Sequence, residues 1–434
     1  MNKKSLDEIN GSVKVPTVYE SAFWQKFLAY CGPGALVAVG YMDPGNWLTS
    51  LTGGAQYRYS LLSVLILSIL IAMIMQSLSI KLGVVTRTDL AQAIAARVSK
   101  PVRIILWILN ELAMMATDLT GVIGTSVALY LLFHLPLIVG VLLTVADVIV
   151  VLLFLQFGIR RIEFIVLATI LIVAGIFTIE VVRAHPEWSP ILNGCIPSAN
   201  IINNHAQLLL SLGIIGATIM PHNIYLHSAL AQSRRYDEHD PRQVHETLQF
   251  ANWDSIIHLV AALLVNALLM IMGGTLFFHH GNLNSLADVF DGLNNSKIVG
   301  SLASPVMSGL FGFALLITGL ISSITSTLAG QIVMEGYINL RLPLWKRRLL
   351  TRLVTLIPVI IIGCCIHFNE QEFEQLIIIA QIILSVALPF TLFPLIIITS
   401  NHQIMGQYAN RHWQMISYLI IVLALTFLNF AALF

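Results

Sequence analysis

The chain has 434 residues, 57% of them hydrophobic and only 10% charged, with a mean hydropathy of +0.84. A soluble domain carries about 25% charged residues, so this composition excludes a water-covered globule and points to an all-α, polytopic membrane protein. The net charge of +1 gives no basis for a nucleic-acid partner, and the four cysteines (Cys31, Cys195, Cys364 and Cys365) contain no CxxC pair and support neither a disulfide framework nor a zinc site.

In chain order, residues 1–26 form a polar tail without the apolar core and cleavage site of a removable signal peptide. A bilayer span needs about 20 apolar residues. Eleven stretches qualify, at roughly 27–56, 60–84, 102–132, 136–156, 162–184, 206–233, 253–278, 304–336, 349–367, 372–399 and 412–434. The longest connections, 185–205, 235–252 and 279–303, are polar loops that leave no length for a water-soluble domain. With the N-terminus inside, every Lys and Arg except Arg58, Arg183 and Lys297 falls on an inner segment. The positive-inside rule then predicts a cytoplasmic N-terminus and an extracellular or periplasmic C-terminus for a multi-pass protein of the plasma (inner) membrane.

Two of the spans are interrupted. The first breaks at Asp43-Pro44-Gly45-Asn46, inside GYMDPGNW, and the sixth breaks around Gly216 to His222, inside GATIMPH. Proline removes a backbone donor and glycine loosens the chain. The breaks occupy corresponding positions if residues 27–184 and 206–399 are two five-span halves and 412–434 is an extra helix. An odd number of spans inverts the second half, and paired broken helices in inverted repeats mark the midplane binding site of many secondary transporters. No residue-level identity between the halves is visible, so the repeat rests on hydropathy and the breaks.

The residues at these breaks carry chemistry. Asp43 and Asn46 place a carboxylate and an amide beside freed carbonyls, which is a cation site; the competing role for Asp43 is to cap the second half-helix. A charge at the bilayer centre costs at least ~2.5 kcal/mol, which favours function. In the sixth span the carbonyl of Ala217 is freed ahead of Pro221, and Met220 adds a thioether, which suits transition metals rather than Mg²⁺ or Ca²⁺. His222 and His227 follow and could relay protons or simply pack. In the third span Glu111 and Asp118 lie two turns apart on one face, either as a proton path or as a buried ion pair, with Arg352 as a candidate partner. Gln381 in the tenth span could coordinate a cation or bond to a neighbouring helix, and Asn266 in the seventh is a weaker case. Asp147 and Glu180 are further intramembrane acids.

GYMDPGNW and TIMPHNIYLHSAL, with ELAMMATDL, SSITSTLAGQIVMEG and RRLLTRLVTLIP in the same order along nearly the whole chain, resemble the Nramp family of divalent metal transporters and, within it, the bacterial manganese carriers. The resemblance implies a leucine-transporter-like fold with a 5+5 inverted repeat plus one helix, and proton-coupled uptake of Mn²⁺ and related ions such as Fe²⁺, Co²⁺ and Cd²⁺. It implies metal ligation by Asp43, Asn46, the Ala217 carbonyl and the Met220 sulfur, joined in some conformations by Gln381. It places proton handling on Asp43, Asp118 and His222, with Glu111 and Arg352 as a supporting pair. One departure stands out: Gly121 occupies the place where the family's ATDLxEVIG pattern has a glutamate. Metal ligation is expected to survive that change, and proton coupling is what it touches.

The alternative is a sodium-coupled amino-acid or nucleobase carrier of the same fold, which Asp43 and Met220 disfavour. A metal-gated channel or a sensor is a third class, and the lack of a soluble signalling domain argues against the sensor. No nucleophile–base set or Gly-rich phosphate loop marks an enzyme, and no cofactor or obligatory protein partner is expected beyond the transported ion and the bilayer.

Overall fold

The computed structural model describes the chain except residues 1–9, 17–21, 147–148, 150–152, 154–157, 279–282, 284, 300–302, 341 and 434. The described residues are helical apart from connections and one two-residue parallel pairing, in which Val13–Lys14 of the tail lies against Arg234–Arg235 after the sixth span. Among the described residues, nine helices are long and apolar enough to cross a membrane: Leu62–Thr86, Lys100–Phe133, Ile159–Ala184, His205–Ser233, Pro241–Phe277, Pro305–Ile338, Trp345–Cys365, Glu370–Thr399 and His412–Ala431. They coincide with the second, third and fifth to eleventh expected spans. Of the expected fourth span, the shorter apolar helix Leu137–Ala146 is described. The rest of that segment, with Asp147, lies largely outside the described residues.

The first span is divided more finely than hydropathy indicates. Phe23–Tyr30 forms a separate helix ending at Cys31. Gly32 follows with φ 142, a value glycine alone adopts readily. The span proper is a leading half-helix, Pro33–Gly40, and a trailing half-helix, Pro44–Tyr57. Proline opens both halves at the first helical position, where its missing donor costs nothing. The sixth span divides in the same way into His205–Thr218 and Pro221–Leu230, with Met220 extended between them. The seventh helix begins at Pro241 rather than near 253. Asp240 caps it by accepting from the Arg242 amide, so its first turns are specified by capping chemistry that a hydropathy window does not register.

The broken spans sit at the centre. The two halves of the first span meet partners from the other break: Pro33–Gly40 packs on Pro221–Leu230, and Pro44–Tyr57 on His205–Thr218. Around them stand the second, third, seventh, eighth and tenth spans. In the apolar stretch of the sixth span 94% of residues are buried, against 17% in the eleventh, so the sixth is interior and the eleventh peripheral. Leu171, Ile179, Val182, Phe427 and Phe430 are exposed on the fifth and eleventh spans, the apolar surface that a bilayer would cover.

Trp47 holds the trailing half-helix in place. It is fully buried, packs edge-on against Phe177 of the fifth span at 4.8 Å and against Phe311 of the eighth at 5.5 Å, and donates from Nε1 to the Met42 carbonyl at 2.9 Å. Replacing such a ring by alanine typically costs about 3–5 kcal/mol. Trp47→Ala is therefore expected to lower the melting temperature of the detergent-solubilised protein sharply, with Trp47→Phe in between because it keeps most packing and loses only the hydrogen bond. Equal melting temperatures for Trp47→Ala and the parent would contradict this role.

Candidate functional site

Proline at position i deprives the carbonyl at i−4 of its helical donor, so Pro44 strips the Gly40 carbonyl and Pro221 strips that of Ala217. At the first break, side chains replace the missing donors. The Asn46 amide reaches the Gly40 carbonyl at 3.4 Å, Asn266 of the seventh span donates to the Tyr41 carbonyl at 2.6 Å, and Trp47 serves Met42. Asn266 therefore supports the unwound backbone directly. Buried polar groups without such partners are costly.

Asp43 is the N-cap of the trailing half-helix. Its Oδ1 accepts from the Asn46 amide nitrogen at 2.8 Å and from Asn46 Nδ2 at 2.9 Å, while Oδ2 receives the Thr120 hydroxyl at 3.3 Å. The capping role is thus realised, and it does not exhaust a carboxylate, which offers about four acceptor sites. Asp43 and Asn46 are both essentially buried.

Gln381 lies against this cap. A Cβ added to Gly45 would fall 1.7 Å from Gln381 Nε2, so only glycine admits the amide there. The Gln381 side chain is fully buried, and neither its oxygen nor its nitrogen has a hydrogen-bond partner. Its backbone carbonyl crowds Gly216 of the sixth span, so one residue of the tenth span touches both broken helices. At the second break, Ala217 and Met220 are fully buried. Asn223 donates from Nδ2 to Met220 Sδ at 3.6 Å, abuts Gly40 and leaves its own Oδ1 without a partner. Asn223 is the residue that sequence reasoning missed here, although its place two residues after Pro221 was the available signal.

The two histidines diverge. His222 Nδ1 shares a hydrogen bond with Thr117 of the third span at 3.3 Å and lies within electrostatic reach of Asp118. His227 Nδ1 instead bonds Gln76 of the second span at 2.9 Å, and Gln76 donates to the Tyr41 hydroxyl at 2.9 Å. His227 is thereby connected to the first break by a route its five-residue spacing from His222 did not indicate.

The acids of the third span need a correction. Glu111 does not take Arg352 as its partner: it pairs with Arg347 at 3.1 Å and accepts from Trp107. Asp118 pairs with Arg348 at 2.7 and 2.9 Å and accepts from Ser326 at 2.9 Å. Arg352 donates to the Asp118 carbonyl at 3.4 Å, and Asp118 is the acid acting on it. Glu111 and Asp118 lie two turns apart, so the ninth helix meets them with successive arginines and Arg352 falls beside Asp118. Glu180, in the fifth span, is buried with both carboxylate oxygens lacking a partner. A Cβ at Gly121 would meet nothing within 4 Å, so this position has room for a side chain.

Residues 34–434 match the family described as Natural resistance-associated macrophage protein-like, Nramp. A Levilactobacillus brevis protein named "Divalent metal cation transporter MntH" is 49% identical over 428 residues, covering 98% of this chain and 93% of its own. The structure of the Eremococcus coleocola manganese transporter superposes with a TM-score of 0.91 at 45% identity, covering 98% of this chain and 90% of that one. Mhp1, a nucleobase-cation-symport-1 family transporter, superposes with a TM-score of 0.60 at 12% identity over 93% of this chain and 90% of its own, a likeness of fold alone.

Breaking a buried ion pair from one side costs about 3–5 kcal/mol. Arg348→Ala is expected to destabilise by that order in detergent unfolding, and adding Asp118→Asn should recover a large part. A double-mutant cycle should couple Glu111 to Arg347 but not to Arg352; the reverse result would overturn the pairing described above.

Proposed function

The chain belongs to the Nramp family, and from that membership we propose that it is a divalent metal transporter that imports Mn²⁺ and related ions such as Fe²⁺, Co²⁺ and Cd²⁺ with protons as co-ion. The observation that carries the reading is Gln381: a fully buried amide with neither atom partnered, wedged at Gly45 beside the Asp43 cap and against the sixth span at Gly216. An unpartnered buried polar group calls for a ligand or a functional reason. Asp43, Asn46, the Ala217 carbonyl, Met220 and Gln381 together offer the metal one charge, two amides, a carbonyl and a soft sulfur. That set suits a transition ion, because Mg²⁺ and Ca²⁺ gain little from a thioether.

Proton transfer in this reading uses Asp43, Asp118, His222 and His227. His222 lies toward Asp118 and His227 toward the first break, which supports two branches rather than one file of histidines. Glu111 with Arg347 flanks the route as an ion pair, and Arg348 holds Asp118 within it. The halves 27–184 and 206–399 would act as inverted repeats, with 412–434 outside them. Alternating access would come from movement of the half-helices, the N-terminus being cytoplasmic. No cofactor and no catalysed reaction is part of the proposal.

Two measurements test it. In proteoliposomes, Met220→Ala is expected to keep uptake but lose discrimination of Mn²⁺ against Ca²⁺; unchanged selectivity would remove the thioether from the argument. With internal pH recorded during Mn²⁺ uptake, Gly121→Glu, for which the space exists, is expected to raise proton flux per metal. Equal flux in the two proteins would show that the family's acid is dispensable here. Uptake of a labelled amino acid without metal flux would favour the sodium-coupled carrier instead.

A further inference from the structure

A second group of metal-binding side chains lies away from the breaks. Cys31, Asp254 and His258 bring a sulfur, a carboxylate oxygen and an imidazole nitrogen within 4.8 Å of one another. Cys31 lies two residues before Pro33, the first residue of the leading half-helix of the first span, and the other two lie one turn apart on the seventh. Asp254 and His258 are buried, while Cys31 is partly exposed, which leaves an approach from solvent. Eight helical residues, roughly 12 Å of rise, separate this group from the Asp43 break.

The group is already organised. Asp254 accepts from the backbone nitrogens of Gly32 at 3.0 Å and Gly34 at 2.7 Å, and His258 Nδ1 lies 3.0 Å from Asp254 Oδ1. His258 Nδ1 also lies 2.7 Å from the Asp254 carbonyl, which leaves Nε2 as the nitrogen free to bind an ion. The Cys31 carbonyl is held by Arg160 and by Arg234 Nη2 at 2.9 Å. Arg234 and Arg160 share Glu163, at 2.7 and 3.0 Å, so one carboxylate offsets part of their charge beside the group. A thiolate and a carboxylate supply two negative charges, matching a divalent ion, and Asp254 Oδ2, which accepts from Gly34 alone, retains a second lone pair. Sulfur and imidazole select borderline and soft ions, Zn²⁺ or Cd²⁺, over Mn²⁺.

We propose that Cys31, Asp254 and His258 form a second divalent metal site, for thiophilic ions, that joins the start of the leading half-helix to the seventh span. On loading, the Cys31 thiol gives its proton to solvent and the thiolate, imidazole and carboxylate bind the ion, with water completing the shell. The site does not depend on the transport reading, and the test reads binding alone, so the two fail separately.

The test uses the full chain in detergent with C195S, C364S and C365S, so that Cys31 is the one remaining cysteine. Titration with Cd²⁺ is expected to give an ultraviolet thiolate-to-metal charge-transfer band whose amplitude saturates at that of one thiolate per chain, the transport site taking up Cd²⁺ without such a band. H258Q or D254N should move the midpoint at least tenfold, and D43N should leave it in place. Should either seventh-span variant misfold, X-ray absorption at the zinc edge of the Zn²⁺-loaded background with M220A decides without them: one sulfur at about 2.3 Å and an imidazole nitrogen at about 2.0 Å are expected. No charge-transfer band, a midpoint unmoved by both seventh-span variants, or a zinc shell without sulfur would overturn the proposal.

Discussion

Two missing backbone donors govern this molecule. Pro44 and Pro221 each leave a carbonyl, those of Gly40 and Ala217, without a helical partner in an interior where water cannot substitute. Unsatisfied backbone is tolerated at membrane depth only where protein or a polar cavity answers it, so both broken spans must lie at the centre of the bundle. The burial of the sixth span, the packing of each half-helix on its counterpart, and the use of Asn46, Asn266 and Trp47 as donors around the first break follow from that constraint.

The same constraint explains why capping need not compete with the proposed ligation at Asp43. A cap uses one lone pair of one oxygen, and what the cap achieves here is orientation: Asn46 bonds Oδ1 with both its backbone and its side-chain nitrogen, and Thr120 touches Oδ2. A carboxylate held in this way keeps its direction when a cation arrives or leaves. Gln381 differs in kind, because it has no partner to give up. A fully buried amide in that condition is destabilising by itself, and the proposed metal centre would give a reason for its presence.

The ninth helix illustrates a different balance. Arg347 and Arg348 enter a buried environment and meet Glu111 and Asp118 separately. Buried pairs add little net stability, but losing one partner is expensive, so the register between the third and ninth helices is tightly specified. Asp118 thereby sits between an arginine and His222, within reach of both.

Much of this was legible in the sequence. Composition determined the membrane class, hydropathy located the long helices to within a few residues except at the start of the seventh, and the two prolines marked the breaks, because each of these is a local property of the chain. The resemblance of DPGN and MPH to the Nramp pattern, carried through to a match over residues 34–434, identified the family. Pairing was not legible. The spacing of Glu111 and Asp118 says that they share a face but not which arginine each meets, since that depends on the rotation of another helix. Asn223 and Gln76 carry no motif, and only packing brings them to Met220 and His227. Cys31 is the plainest case. Cysteine spacing argued against a metal site, because spacing sees only neighbours along the chain, whereas the fold carries Cys31 to Asp254 and His258 more than two hundred residues away. Local backbone chemistry was written in the sequence; partners across helices were decided by how the helices rotate and cross when their apolar faces pack.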